Sequence, residues 1–248
     1  MKQIVRTQDR LYLKENRYKK PKQLHLDIIK LLKKNLKTKS KLFKGVITDF
    51  GCSNGEFLYV INKKFPNASL RGIDILSSLI KKAKKKLRKN KKIHLQIGSV
   101  INKNTLKKNF SDISIMSGVL SIFDEFDTVL DNLINWTKKN GSIYIAGLFN
   151  NYPIDTYVKY QLSKNYKSNL FESGWNIFSK NSIKEFLNKK KEVKKFYFRD
   201  FKLRINLKTN KKDFSRSWTF KDKKGNLITT NGLSLILPTS ILYIKLKK

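Results

Sequence analysis

Asp49-Phe50-Gly51-Cys52-Ser53-Asn54-Gly55 is the stretch that decides the fold. A short apolar run, Val46-Ile47-Thr48, leads into it, and a helical pattern of Phe57, Leu58, Ile61 and Phe65 follows. Strand, glycine turn and helix start, in that order, let backbone N–H groups face a nucleotide-like ligand. Nineteen residues beyond Gly55, the apolar run Leu70-Arg71-Gly72-Ile73 ends on the carboxylate of Asp74. An acid at the end of the second strand of such a unit is placed to accept hydrogen bonds from ribose hydroxyls. A dinucleotide turn would need Gly-x-Gly-x-x-Gly, and here no glycine stands between Gly51 and Gly55.

Outward from this unit, strand-like and helix-like segments alternate from Val46 onward, the pattern of a mostly parallel sheet covered by helices on both faces. Further strands are expected at 93–97, 113–116, 142–149, 193–203 and 241–246. A helix follows Asp74, capped by Ser77 or Ser78, with Leu79, Ile80, Ala83 and Leu87 inward. Another is expected over 126–139 with Gly141 as its stop, and Ser182-Ile183-Lys184-Glu185 reads as a capping box that restarts a helix. Upstream, Pro21 opens a helix with Leu24, Ile28, Leu31 and Leu32 on one face. The expected architecture is α/β: a Rossmann-like, seven-stranded, mostly parallel sheet with helices on both faces. Residues 1–44 form an N-terminal helical cap on a domain spanning 45–248, with insertions at about 150–178 and 206–232.

A chain of 248 residues with 40% hydrophobic and 12% aromatic residues is a folded body with a sizeable core, not a disordered one. Cys52 is the sole cysteine and there are two histidines, so neither a disulfide framework nor a metal site is expected. The start carries no secretory signal pattern, and the most apolar late segment, 233–244, is too short for a bilayer and holds Pro238. A soluble, cytoplasmic protein is expected. The formal charge of +37 invites a polyanionic partner such as RNA. Against that, the cations are mainly lysines dispersed through every segment. Even Lys81-Lys82-Ala83-Lys84-Lys85-Lys86-Leu87-Arg88 keeps Ile80, Ala83 and Leu87 on one face, as a solvated amphipathic helix does.

The layout over roughly 45–248 resembles the class I S-adenosylmethionine-dependent methyltransferases, on the strength of Asp49-to-Gly55, Gly72-Ile73-Asp74 and the late strand pair. The resemblance implies S-adenosyl-L-methionine as cofactor, with the loop of Gly51, Cys52, Ser53 and Gly55 cradling its methionine part. It also implies that Asp49 orients the loop and the cofactor ammonium, and that Asp74 receives the ribose. Ser53 stands where a middle glycine is usual, and Ser99 where an Asp commonly reaches the adenine amino group.

Methyl transfer asks little of the protein beyond holding the acceptor in line with an activated donor in a dry pocket. A hydroxyl acceptor also needs a base near the carboxyl ends of the strands, where Asp124 and Glu125 stand. Ser117-Gly118-Val119-Leu120 replaces the Asn/Asp-Pro-Pro-aromatic turn common in nucleobase amino methylation, and neither a cysteine nucleophile near strand four nor a clear ribose-methylation set is present. Two aromatic-polar patches supply the expected acceptor-binding residues: Asn150, Tyr152, Trp175 and Asn176, then Arg216 and Trp218. The phrases 173–179, 216–219 and 231–233 are similar to those of methyltransferases from surface-polysaccharide gene clusters. Together these imply a small-molecule or carbohydrate acceptor, a sugar or nucleotide-sugar, with oxygen ahead of nitrogen. An RNA methyltransferase and a catalytically inactive basic nucleic-acid-binding protein stand as the alternatives. Tyr12, Tyr18 and His25 are expected as packing residues of the cap, His25 partly exposed, with a lid folded over the pocket as their alternative role.

Overall fold

The computed structural model describes residues 7–209 and 213–248. The first six residues of the expected cap, and 210–212 of the second expected insertion, lie outside the described residues. Five parallel strands form the body of the sheet: β1 (Val46–Phe50), β2 (Ser69–Asp74), β3 (Ile93–Ile97), β4 (Ser111–Ser117) and β5 (Thr137–Asn150). Short pairs follow at β6 (Lys159–Tyr160) with β7 (Glu172–Ser173), and β8 (Phe178–Ser179) adds to the end of β5. Then come β9 (Val193–Asp200), a hairpin of β10 (Trp218–Lys221) and β11 (Leu227–Thr230), and β12 (Thr239–Leu246). The main sheet runs β3-β2-β1-β4-β5-β12-β9, with β12 antiparallel to both neighbours. This is the Rossmann-like α/β sheet, and its order reverses between β1 and β4.

The two-residue period of the strands sorts their side chains between two cores. Ile113, Ile115, Tyr144, Ala146, Ile241 and Tyr243 face one cluster, where helices α1 (Gln23–Asn35) and α2 (Glu56–Lys64) contribute Ile28, Leu32, Leu58 and Ile61. Met116, Ile143, Ile145, Leu242 and Ile244 face the other, against α4 (Asp127–Trp136) and α5 (Lys180–Asn188). Each such buried Leu, Ile or Phe contributes about 1.5–3 kcal/mol relative to exposure. Helix α3 (Ser77–Leu87) buries Leu79, Ile80, Ala83 and Leu87 and turns its lysines outward, as its periodicity dictates.

The helix ends depart from the sequence reading. Helix α4 stops at Trp136, and the chain passes directly into β5, so Gly141 lies inside a strand and stops nothing. The side chain of Thr137 makes the stop: its hydroxyl donates to the Leu133 carbonyl (2.6 Å) and pairs with Ser114 across the sheet (2.6 Å). Asn140, at φ 57°, takes the left-handed conformation that a glycine would have supplied. The cap of helix α5 lies three residues before the expected one, with Ser179 accepting from the Asn181 N–H (3.0 Å), while the Ser182 hydroxyl donates to Asp155 (2.8 Å). Ser77 and Ser78 are both helical, and the cap position belongs to Leu76, whose N–H is taken by Asp74 (2.9 Å). Among the described residues no helix is long and apolar enough to cross a membrane.

Candidate active site

In an open parallel sheet, ligands lie beyond the carboxyl ends of the strands where the order reverses. A cavity of about 1190 Å³ opens there. Its floor is made by the loop after β1 (Gly51 to Asn54), the end of β2 (Ile73 to Leu76), the turn after β3 (Gly98 to Ile101) and the turn after β4 (Ser117 to Val119). Gly51 has φ 74°, and a Cβ there would stand 2.2 Å from Cγ2 of Val119, so only glycine lets the two loops meet. The Gly51 and Cys52 N–H groups both donate to the Ile73 carbonyl (2.7 and 3.0 Å), tying the loop to β2. Ser53 holds φ 51°, a conformation natural to the glycine it replaces, and its N–H donates to Asp74 Oδ2 (2.8 Å). Gly55 lies off the cavity. Its φ is 83°, and a Cβ there would meet Leu87 of α3 at 2.6 Å, so it lets α2 start against α3.

Of the expected donor-site residues, Asp49, Gly51, Cys52, Ser53, Asp74 and Ser99 line one cavity. The Asp74 carboxylate sits between the Ser53 and Leu76 N–H groups and still reaches the cavity. Burial raises its pKa, against those two backbone donors, which lower it. Asp49 is almost fully buried, and no hydrogen bond from the described residues reaches its carboxyl. Burial, and secondarily the charge of Asp74, push it up to about 8. A buried acid without a partner, opening on a cavity, calls for a cationic ligand group. Burial likewise drives the Cys52 thiol up, so it is an inert side chain of the loop.

A roof comes from the N-terminal segment. Residues Thr7–Lys14 form a 3₁₀ turn, and Tyr12, Glu15, Lys22 and His25 all line the cavity. The Asn54 side chain fixes the roof to the floor, donating to the Glu15 carbonyl (3.2 Å), while the Tyr18 hydroxyl donates to the Asn54 carbonyl (2.5 Å). Lys82 of α3 donates to the Glu15 carbonyl as well (3.0 Å). The buried Glu15 carboxylate pairs with Arg216, which also grips Asp213 (2.8 Å). One ion cluster thereby latches the roof to the segment after β9. Burial would raise the Glu15 pKa, but Lys22, Arg216 and Arg17 outweigh it and hold the carboxyl below its ordinary value.

A carboxylate with a depressed folded pKa adds stability above its unfolded value, near 4.5, and loses that contribution as pH falls through the folded value. Glu15→Gln is therefore expected to lower stability by about 1–2 kcal/mol at pH 7, less than a fully buried pair because Arg216 is partly exposed. Urea unfolding checks this. The difference from wild type should shrink steadily below pH 4, and a deficit independent of pH would rule the latch out as its source.

The acceptor side is built from the turn after β4 and from the 150–178 segment. Asp124 and Glu125 line the cavity, joined there by Lys159, Phe171 and Ser173 from the β6–β7 flap. Lys159 contacts both Asp124 oxygens at 2.7 Å and the Ser173 hydroxyl at 3.0 Å. That ammonium, and the Asn176 amide (2.9 Å), hold Asp124 below the usual carboxylate range. The remaining expected acceptor residues stand off the cavity. Asn150 closes its own turn, accepting from the Tyr152 N–H (3.1 Å), and Tyr152 is 70% exposed. Asn176 is fully buried and brackets Phe123, Asp124 and Val158. Trp175 is half-buried, Arg216 serves the latch, and Trp218 pairs in the β10–β11 hairpin.

Several cavity residues escaped the sequence reading or were given there a different setting. Lys159 was one lysine among dozens, and Glu15 carried no local motif. His25 proves buried, not partly exposed, and faces the cavity. Asn54 lay inside the quoted loop, yet only the fold shows its side chain turned to the roof.

This sheet, with a glycine loop after β1 and an acid ending β2, defines a nucleotide-cofactor enzyme of the Rossmann-like class. Residues 44–200 match the family model described as a methyltransferase domain, and the chain belongs to that family. It is a class I S-adenosylmethionine-dependent methyltransferase. A curated relative, the malonyl-[acyl-carrier protein] O-methyltransferase of Priestia megaterium, is 27% identical over 100 residues, covering 40% of this chain. The match spans about a third of that relative's length, 35%. Among solved structures, a chain from the Haloferax volcanii complex of the Trm112 methyltransferase activator with its methyltransferase superposes with TM-score 0.63 at 11% identity, covering 99% of this chain and all of that one. The YcgJ protein of Bacillus subtilis superposes at 0.59 with 10% identity, covering 90% of this chain and 99% of that one. At such identities these likenesses speak for the fold.

The residues present fit the cofactor. An unpartnered buried acid, Asp49, suits its ammonium; a carboxylate fixed by two backbone donors, Asp74, suits a diol; and the loop between them is held bare of side chain at Gly51. S-adenosylmethionine supplies a methyl group already activated on a sulfonium. What this chain does is bind it, exclude water and orient the acceptor.

Proposed function

We infer that the protein methylates an oxygen of a small polar acceptor, a sugar or a comparably hydroxylated metabolite. The observation that carries this reading is an inversion of charge. In a chain with 55 Lys+Arg against 18 Asp+Glu, the cavity is lined by seven acidic side chains and two lysines. Most of the cations lie off the cavity, while seven of the 18 acids line it. Such walls repel the phosphates of a nucleic acid, and they would repel a carboxylate acceptor of the kind named for the Priestia relative. They accept hydrogen bonds from neutral hydroxyls. The cavity also exceeds the roughly 300–1,000 Å³ usual for one small ligand, which supports donor and acceptor sharing one enclosure.

In this reading Asp49 takes the donor ammonium and Asp74 the ribose diol, with Gly51, Cys52 and Ser53 lying against the donor backbone and Ser99 near the adenine. Gly55 acts only through the packing of α2. Asp124, Glu125, Lys159 and Ser173 frame the acceptor. The enzyme would act in the cytoplasm.

Donor binding then carries a proton signature. Asp49 is protonated below about pH 8 in the free protein, and an ammonium beside it favours the carboxylate. Binding should release a proton at pH 7, and affinity should rise with pH and level off above about 8. Calorimetry in buffers of different ionisation enthalpy reads this directly. Wild type should release up to one proton more than Asp49→Asn, and equal release by the two would remove Asp49 from the ammonium site.

The reading itself is tested by S-adenosylhomocysteine release with five acceptor sets: neutral sugars, nucleotide-sugars, primary amines, malonyl thioesters and RNA transcripts. Turnover with a sugar hydroxyl is expected. Turnover confined to RNA, lost steeply between low and physiological salt, would overturn it in favour of the outer cationic surface.

A further inference from the structure

We propose that His25 is the catalytic base of this enzyme, accepting the proton of the hydroxyl that becomes methylated. The inference rests on the reading of an O–H acceptor given above. His25 is the third residue of α1, is 9% exposed, and lines the cavity. Its ring lies flat on Phe57, with centroids 4.1 Å apart and planes at 13°. Phe57 is the second residue of α2, directly after the donor loop, so the imidazole is fixed in orientation beside the donor site. Among the described residues no hydrogen bond reaches either ring nitrogen. The ring faces the cavity with its nitrogens open to a ligand there.

The surroundings keep the ring in its basic form. Burial, then the charges of Lys22 and Arg17, hold its pKa well below the ordinary histidine value. The first turn of α1, where the helix dipole is positive, acts in the same sense. At neutral pH the ring therefore offers a free lone pair. Asp124, the obvious alternative, has both oxygens taken by the Lys159 ammonium and one of them also by the Asn176 amide. The same cations that keep His25 neutral favour the negative charge that grows on an acceptor oxygen.

The step balances as follows. The acceptor oxygen gives its proton to the unprotonated ring nitrogen of His25 as its bond to the methyl carbon forms. The bond from that carbon to the donor sulfur breaks, and its electron pair stays on sulfur, discharging the sulfonium. The imidazolium, disfavoured beside Lys22 and Arg17, passes the proton to solvent.

The test compares wild type, His25→Gln and His25→Ala on the sugar hydroxyl that supports turnover, with donor affinity measured by calorimetry. Expected for His25→Gln is a loss of about 100-fold or more in kcat with donor Kd within about twofold, and for His25→Ala a partial rescue by added imidazole. A donor Kd that weakens as much as kcat falls would make His25 a donor-holding residue and overturn the proposal while leaving the acceptor reading intact. Turnover only with an acceptor that has no proton to lose would overturn both. With two histidines in the chain and His94 exposed, nitrogen-15 NMR of the complex with S-adenosylhomocysteine resolves each ring. His25 neutral at pH 7 is expected, and a ring protonated on both nitrogens would end the proposal without any acceptor.

Discussion

Asp74→Ala should bind S-adenosylmethionine on the order of 100-fold more weakly than wild type, about 3 kcal/mol. The carboxylate holds the Ser53 N–H at 2.8 Å and the Leu76 N–H at 2.9 Å, so it sets the shape of the β1 loop and the start of α3. In the proposed complex it also accepts from the ribose. Charge-assisted hydrogen bonds contribute roughly 1.5–3 kcal/mol each, but relaxation of the loop returns part of that. Asp74→Asn gives a finer reading. Its amide keeps the size and one acceptor, yet must turn a donor toward either a backbone N–H or the ligand, so an intermediate loss is expected. Calorimetry on both variants, with circular dichroism to show that they fold, checks the prediction. A Kd unchanged in Asp74→Ala would detach the ribose from β2 and with it the orientation assigned to the donor.

Gly51→Val should be destabilised by about 2–5 kcal/mol, from two separable causes. The left-handed φ of 74° costs an L-residue roughly 1–2 kcal/mol, more if it is β-branched. The new Cβ would also stand 2.2 Å from Cγ2 of Val119, and overpacking of that kind costs about 1–3 kcal/mol. For a chain of this size the melting temperature should fall by about 5–15 °C. Val119→Ala in the same protein removes the clash but not the backbone strain, so it should restore part of the loss and no more, a coupling that a double-mutant cycle measures. Full restoration would mean that the backbone term is negligible; no restoration would mean that the loops after β1 and β4 do not meet as described.

These two residues were legible in the sequence because their constraints are local. A glycine after a strand and an acid ending the next strand reflect backbone geometry within one βαβ unit, and the same is true of the alternation that sends Tyr144 and Ile145 to opposite faces. Helix ends were read less well. Gly141 looked like a stop by its type, whereas Thr137 ends α4 through a hydroxyl bonded both to Leu133 and across the sheet to Ser114. That second partner, 23 residues away, is invisible to a window of sequence. The surroundings of the aromatic-polar patches are non-local for a related reason. Asn176 and Arg216 have the chemistry of ligand-binding residues, but both stand off the cavity and hold protein groups, Asn176 bonding Phe123, Asp124 and Val158 and Arg216 bonding Glu15 and Asp213.

By itself, the sequence determined the sheet and the glycine turn after its first strand, since each follows from residue spacing against the fixed periods of strand and helix, and the family resemblance carried by that turn indicated the class of chemistry. Only the tertiary structure decided where the charge lies. A net +37 is a sum over the chain and carries no direction. Folding gathers Glu15, from the N-terminal segment, with Asp49 and Asp74, from the ends of β1 and β2, and Asp124 and Glu125, from the segment after β4, around one cavity that only two lysines, Lys22 and Lys159, line. It also sets His25 against Phe57, 32 residues onward, where burial and two neighbouring cations keep its ring neutral. Desolvation and Coulomb interactions depend on distance through space, and that distance is what a sequence does not state.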